Sequence, residues 1–259
     1  MQKVQYAFLD SGVGGIPYLQ CLLQKAPTAS LLYAADTEHF PYGNKSKEEV
    51  ITFSKNIVSK IIKVASPSII IVACNTITVS ALEALRQTFN IPFVGTVPAI
   101  KLAKKLSHNN NIGLIGTTRT LEDAYIKNLT HTFAADANII PIVEAKLIEE
   151  IENGLMFSPE EEQLHFVLPI LRKFKEKSCD TLILGCTHFL HLLSAFTKAG
   201  AMYDITIADS LDGVVRQALK LSPPTHHLPP KKLFYASRNK NNTYHSYAKK
   251  WSLDLIKEL

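Results

Sequence analysis

Short apolar runs alternate along the chain with glycine-bearing or polar turns, and with longer stretches whose apolar residues recur at helical spacing. Tyr6-Ala7-Phe8-Leu9 predicts a first strand that ends in Asp10-Ser11-Gly12-Val13-Gly14-Gly15, with a helix over 17–24 behind it. A second strand over 31–35 runs into the polar loop Phe40-Pro41-Tyr42-Gly43-Asn44-Lys45-Ser46. From 47 to 63, Val50, Phe53, Ile57, Val58, Ile61 and Ile62 fall close to one helical stripe. Ser68-Ile69-Ile70-Ile71-Val72 predicts a third strand leading into Ala73-Cys74-Asn75-Thr76. A helix over about 79–89 follows, and Pro92-Phe93-Val94-Gly95 reads as a short strand.

The theme then restarts. Asn111-Ile112-Gly113-Leu114-Ile115 predicts a strand ending in Gly116-Thr117-Thr118-Arg119-Thr120, with a helix over about 121–129 and a strand over 137–143. A Glu-rich helical region spans 145 to about 177, and Thr181-Leu182-Ile183-Leu184 delivers Gly185-Cys186-Thr187-His188. Asp10 and Cys74 are 64 residues apart, Thr117 and Cys186 are 69. Alternation of strand, turn and amphipathic helix marks an α/β fold on parallel sheets with helices on both faces. The doubled spacing predicts two pseudo-symmetric lobes, each a mostly parallel sheet flanked by helices, with the active site in the cleft between them. Val97-Pro98-Ala99 suits one crossing, because Pro98 fixes φ and holds its predecessor extended. A second crossing falls near Ile207-Ala208-Asp209-Ser210. The first lobe is thus expected over 1–97 plus 208–259 and the second over 98–207. In the returning segment, 211–219 reads as a helix, the Pro-rich 222–230 as a stiff linker, Leu233-Phe234-Tyr235-Ala236 as an edge strand and 244–251 as a terminal helix.

With 259 residues, 46% hydrophobic and 20% charged, the chain has the make-up of an ordinary globular protein with one large core or two modest ones. The formal charge of +5 is mild; it helps draw in a small anion and gives no argument for a nucleic-acid partner. Much of it comes from Lys231, Lys232, Arg238, Lys240, Lys249 and Lys250, which read as a solvated basic surface. The start Met1-Gln2-Lys3-Val4-Gln5-Tyr6 lacks the apolar region of a secretory leader, and no apolar stretch approaches a membrane span. A cytoplasmic protein with no membrane partner and reduced thiols is expected. Cys21, Cys74, Cys179 and Cys186 form neither a CxxC pair nor a zinc spacing, which counts against disulfide and metal readings.

Two of these cysteines stand apart. Cys21 sits among leucines and Cys179 within Lys177-Ser178-Cys179-Asp180, where a thiol is simply a small core residue. Cys74 and Cys186 each follow an apolar strand and precede polar residues that a core would not want. That places a thiol at the carboxyl edge of a parallel sheet, where open α/β folds bind ligands, and where a helix N-terminus favours the thiolate. Two such thiols facing one substrate could remove and return a proton. Asp10, ahead of a glycine-rich turn, suits an ammonium group beside an anion, or caps the turn. Asn75, Thr76 and Thr187 offer donors and acceptors for a carboxylate and an amine, and are also fair helix caps. His188 could tune the second thiol or orient substrate, or be a satisfied structural histidine. Main-chain N–H groups at Tyr42 and Gly43 could meet a second carboxylate.

The ordered set Asp10-Ser11-Gly12-Val13-Gly14-Gly15, Tyr42-Gly43-Asn44-Lys45-Ser46, Ala73-Cys74-Asn75-Thr76, Ile115-Gly116-Thr117 and Leu184-Gly185-Cys186-Thr187-His188 resembles the glutamate racemase family. That family lies within the cofactor-independent aspartate/glutamate racemase superfamily. The resemblance implies that Cys74 and Cys186 are acid/base thiols tuned by Asp10 and His188. It also implies substrate contacts from Asp10, Ser11, Tyr42, Gly43, Asn75, Thr76, Thr187 and His188. No cofactor is implied, whether pyridoxal phosphate, flavin or metal. The implied partner is glutamate, the D-isomer supplying peptidoglycan synthesis and the cell wall; the oligomeric state, a homodimer included, is left open.

The chain departs from the family pattern at Ile77-Thr78, at Phe189-Leu190, at Arg119 and at Glu144-Ala145, where a Glu-Glu pair is usual. If an acidic residue of that pair assists His188, Glu144 is the one expected. Rival readings are an aspartate racemase of the same superfamily and a ligand-binding relative that has lost efficient catalysis. A thiol redox enzyme fits poorly, since Cys74 and Cys186 lie 112 residues apart with no resolving partner.

Overall fold

The apolar runs of the first half form parallel strands with every residue buried. In the computed structural model, which describes residues 3–225, 228–238 and 242–256, these are β1 (Tyr6–Asp10), β2 (Leu31–Ala35) and β3 (Ile69–Val72). Near-continuous apolar strands of this kind belong to sheets covered on both faces. Met1 and Gln2, His226 and His227 of the Pro-rich stretch, and Lys240 of the basic cluster lie outside the described residues. The chain divides into two units, Met1–Thr96 with Leu211–Leu259, and Val97–Ser210.

In the first unit β4 (Phe93–Gly95), β9 (Lys232–Ala236) and β10 (Asp254–Leu255) complete a six-stranded sheet of order β10-β9-β2-β1-β3-β4. All its pairings are parallel, with Leu9 opposite both Ala34 and Val72. One face packs on α2 (Lys47–Ala65) and α3 (Asn75–Thr88), where Val50, Ile57, Val58, Ile61, Ile77 and Leu85 close over Leu9, Leu32, Ile70 and Val72. Each such side chain removed from water contributes about 1.5–3 kcal/mol. On the alternate strand positions the Tyr33 ring stacks between Phe8 (6.5 Å) and Phe234 (5.6 Å). Helix α2 opens on a full capping box, Ser46 with Glu49. Helices α1 (Ile16–Lys25) and α10 (Leu211–Leu221) pack together in this unit.

The second unit has β5 (Asn111–Gly116), β6 (Asn138–Val143), β7 (Thr181–Leu184) and β8 (Thr206–Ala208) in the order β6-β5-β7-β8, again parallel throughout. Replacing each strand by the one four places earlier gives β2-β1-β3-β4, so the two units share one strand order. Both have a switch point, at β1/β3 and at β5/β7, where successive connections leave in opposite directions. Ligands of open α/β sheets bind beyond the carboxyl ends at such points. Pro141 lies in the edge strand β6, where a missing N–H is tolerated. Among the described residues no helix is long and apolar enough to cross a membrane.

Several elements differ from their sequence expectation. Helix α3 starts at Asn75, directly after Cys74, rather than near residue 79. The region 121–129 becomes α5 (Thr118–Glu122) and α6 (Ala124–Phe133), divided at Asp123, whose carboxylate caps α6 through the Tyr125 N–H at 2.9 Å. The Glu-rich region divides into α7 (Ala145–Glu152), a 3-10 turn Leu155–Phe157 and α8 (Glu160–Glu176). Gly154 breaks it with φ of 117°, a value open to glycine and costly for other residues. Strand β9 is no edge strand: β10 covers its outer side. Helices α4 (Ile100–Leu106) and α9 (Leu193–Tyr203) belong to the second unit, and helix α11 (Thr243–Lys250) precedes β10 in the first.

Candidate active site

In the first unit the switch point gathers residues from the loops after β1, β2 and β3. The β1–β3 ladder continues one step past the strands through the Ala73 N–H to the Leu9 carbonyl (2.8 Å). Cys74 then turns out of the sheet in extended conformation (φ −142°, ψ 121°) and takes the N-cap position of α3. Its carbonyl accepts the Thr78 N–H at 2.9 Å, so the helix begins at once. The thiol is 6% exposed, and its Sγ lies 3.9 Å from the Ser11 hydroxyl. Asn75 and Thr76, the first helical residues, are buried beside it.

Asp10 is fully buried at the end of β1 and accepts the Ser11 N–H (2.6 Å), with the Ser11 hydroxyl 3.4 Å away. Ser11 therefore stands between the carboxylate and the thiol. The turn that follows needs glycine at position 15, where an added Cβ would sit 2.5 Å from the Ala73 Cβ and 2.8 Å from its carbonyl oxygen. The Gly15 N–H donates to the Tyr33 hydroxyl (3.0 Å), which lies 3.0 Å from the Gly12 carbonyl and 3.4 Å from Asp10 Oδ2. Tyr33 was not expected at the site. Its position in the middle of an apolar strand is where a buried phenol needs polar company.

Tyr42 opens the 3-10 turn Tyr42–Asn44 and is buried, with Gly43 half-buried behind it. Its hydroxyl donates to Asp36 Oδ2 at 2.5 Å. Burial, then the charge and hydrogen bond of Asp36, then the charges of Cys74 and Asp10, push this phenol far above its ordinary range. Tyr42 is thus a fixed donor, and Asp36 another residue that sequence reading missed.

The second unit repeats the arrangement. Cys186 follows β7 by two residues in nearly the same conformation (φ −136°, ψ 139°) and caps the 3-10 helix Thr187–Leu192. It is 8% exposed, and Thr187 and His188 are both buried. His188 places Nδ1 3.7 Å from the Cys186 Sγ and Nε2 2.7 Å from Glu152 Oε2. Burial alone would pull the imidazole down. Hydrogen bonds to Cys186 and Glu152, and their charges, outweigh it and raise His188 well above its ordinary value. The acidic partner is therefore Glu152 and not Glu144, which pairs with Lys173 at 2.8 Å. The available signal was positional: Glu152 is one turn beyond Ile148 on the buried stripe of α7, where an acidic side chain requires a partner.

Among the other departures, Phe189 and Leu190 are buried in the 3-10 helix Thr187–Leu192. Thr78 Oγ1 accepts the Thr96 N–H (3.1 Å) and lies 3.4 Å from the Val72 carbonyl, tying α3 to the chain beyond β4. Ala145 is exposed at the start of α7. Arg119 lies in α5, behind the Thr117 cap, with its Nε buried and lacking a hydrogen-bond partner among the described residues. Cys179 is buried in the core of its unit, its thiol pushed up to about 11 by burial and by Asp180. Among the described residues no group of three or more His, Cys, Asp or Glu is placed to hold a metal.

A four-strand order common to both sheets, with a cysteine capping the helix after the third strand of each, makes a doubled α/β fold that carries a thiol at each switch point. A sequence profile of the Asp/Glu/hydantoin racemase family matches residues 18–218, and the chain belongs to that family. Within it, the glutamate racemase of Treponema pallidum is 42% identical over 227 residues, covering 88% of this chain and 84% of that protein. Among solved structures, Escherichia coli glutamate racemase in complex with L-glutamate and the activator UDP-MurNAc-ala superposes with a TM-score of 0.85 at 27% identity, covering 99% of each chain. Glutamate racemase isoform RacE1 from Bacillus anthracis gives 0.81 at 27% identity, covering 99% of this chain and 97% of that one.

Proposed function

We propose that this chain is an amino-acid racemase that interconverts L- and D-glutamate without a cofactor. Cys74 and Cys186 serve as its two acid/base thiols. The observation that carries the reading is the paired cysteine: each thiol ends a central parallel strand at a switch point, in matching backbone conformation, at a helix N-terminus. In the reaction one thiolate takes the α-proton, so that an S–H bond forms as the C–H bond breaks. The electron pair is held in a planar carbanion conjugated with the α-carboxylate. The other thiol then gives its proton to the carbanion's second face. A single base would tend to return the proton to the side it came from.

The carbanion is the costly species, and fixed donors around it lower the barrier more than they lower the ground state. Asn75, Thr76 and Thr187 supply such donors, and Tyr42-Gly43 receives the second carboxylate through the main chain. Asp10, reaching Cys74 through Ser11, orders the first thiol. His188, held by Glu152, sets a positive charge against sulfur at the second. The D-glutamate formed supplies peptidoglycan synthesis, and the cytoplasm is the setting this reading favours.

The test compares L-glutamate and L-aspartate as substrates and repeats the glutamate assay on Cys74→Ser and Cys186→Ser. Glutamate is racemised in both directions and aspartate far more slowly, while each serine variant keeps its circular dichroism and loses racemisation. Faster turnover of aspartate moves the chain to the aspartate branch of the family. Racemisation that survives in either variant removes the two-thiol reading.

A further inference from the structure

Strand β9 returns from the far end of the sequence to lie beside β2, and the chain beyond it bonds to the loop that follows β2. The β2–β9 ladder runs past Ala35 opposite Ala236 through the Ser237 N–H to the Ala35 carbonyl (2.9 Å). There Ser237 turns its hydroxyl onto Asp36, donating to Oδ1 at 2.8 Å and accepting the Glu38 N–H at 2.9 Å. Asp36 is 3% exposed, and its main-chain N–H is bonded to the Asp10 carbonyl (2.8 Å). Its second oxygen, Oδ2, takes the Tyr42 hydroxyl at 2.5 Å and faces His39 Nδ1 at 2.8 Å. The next residue repeats the attachment: the Thr37 hydroxyl donates to the Arg238 carbonyl (2.7 Å) and accepts the Arg238 N–H (2.9 Å).

We propose that Ser237 is a positioning residue for substrate binding: through Asp36 it fixes the phenol of Tyr42, and with it the Tyr42-Gly43 main chain that receives the second carboxylate. The inference rests on the glutamate reading above and names a residue 195 positions away from Tyr42 as part of that subsite's support. A carboxylate with one oxygen already committed to Tyr42 can rotate about its χ2 axis unless the other oxygen is anchored. Ser237 is the side-chain anchor on that oxygen. Without it Asp36 keeps Tyr42 and His39 but loses a fixed orientation, and the 3-10 turn that hangs from the Tyr42 hydroxyl loses its depth. Because the turn binds substrate and carries no proton, the loss falls on binding in both reaction directions.

The experiment measures kcat and KM for L- and D-glutamate with the full chain, Ser237→Ala, Ser237→Thr, Tyr42→Phe and the double variant Ser237→Ala/Tyr42→Phe. Ser237→Ala is expected to raise KM about tenfold in both directions, as a lost hydrogen bond to a buried carboxylate would, with kcat within about twofold and a lowered unfolding midpoint, since buried Asp36 loses a partner. Ser237→Thr keeps the hydroxyl and restores KM. The double variant is no worse than the more affected single one, because both substitutions cut the same chain of contacts. An unaltered KM in Ser237→Ala, failure of Ser237→Thr to restore it, or additive losses in the double variant overturns the proposal. A full chain that leaves glutamate unracemised overturns the functional reading beneath it instead, and the two failures are told apart by the unaltered protein alone.

Discussion

Glu152→Gln removes the charge that faces His188 while keeping the side chain's shape, and the structure sets the size of the effect. Both partners are enclosed, His188 at 2% and Glu152 at 6% exposure, with 2.7 Å between Nε2 and Oε2. Stripping one member from a buried pair costs about 3–5 kcal/mol; the amide oxygen still accepts a hydrogen bond, which returns about 1 kcal/mol. The expected loss is about 2–4 kcal/mol near pH 6. Its pH dependence has a defined sign. His188 is raised above its ordinary 6.5, against the pull of burial, by Cys186 and Glu152. The stability it contributes is complete below about pH 6.5, where folded and unfolded imidazole both hold the proton, and is lost as pH rises through the folded value. The gap between the two proteins is therefore widest near pH 6 and narrows as pH is raised. Urea denaturation across this range, with a carbon-13 NMR titration of His188, reads it directly. A gap under about 1 kcal/mol at pH 6, a gap that widens with pH, or a His188 that titrates at or below 6.5 refutes the reasoning.

Gly15→Ala would drive a methyl group into Ala73, whose Cβ and carbonyl oxygen stand 2.5 and 2.8 Å from it. Because backbone must yield, urea denaturation is expected to show a loss of about 1–3 kcal/mol together with weakened racemisation, and an unchanged midpoint would contradict the packing. Phe174→Ala empties a fully buried ring site against β5 and is expected to cost about 3–5 kcal/mol; a loss below about 1 kcal/mol would mean that the second unit's core closes over the space.

The central strands β1, β2, β3, β5 and β7 could be read from the apolar runs, because strands buried on both faces are apolar at nearly every position; the short outer strands β8 and β10 are partly exposed, lack that signal and were not expected. The two cysteines were legible for the complementary reason that polar residues follow them directly. Helix boundaries were less so. Thr76, Ile77 and Thr78 are β-branched and look like more strand, yet the helix forms there because tertiary packing of Ile77 outweighs propensity. Tyr33, Glu152 and Ser237 escaped notice because each meets its partner far along the sequence, and Asp36 because nothing in its local pattern marks it as buried. Asp36 meets Ser237 across 201 positions and Glu152 meets His188 across 36, separations that no local pattern reports. Glu144 was expected because it stands where the resembled family carries an acidic pair, and its pairing with Lys173 on α8 draws it away.

The central claim is that two different sulfur atoms handle the proton, one on each face of the α-carbon. Initial-rate racemisation of L-glutamate in deuterium oxide, followed by mass spectrometry of both enantiomers, tests it most directly. The account predicts D-glutamate carrying one α-deuterium from the first turnovers, while the remaining L-glutamate stays protiated. Product that keeps its original α-proton, or L-glutamate that takes up deuterium as fast as product forms, would contradict it.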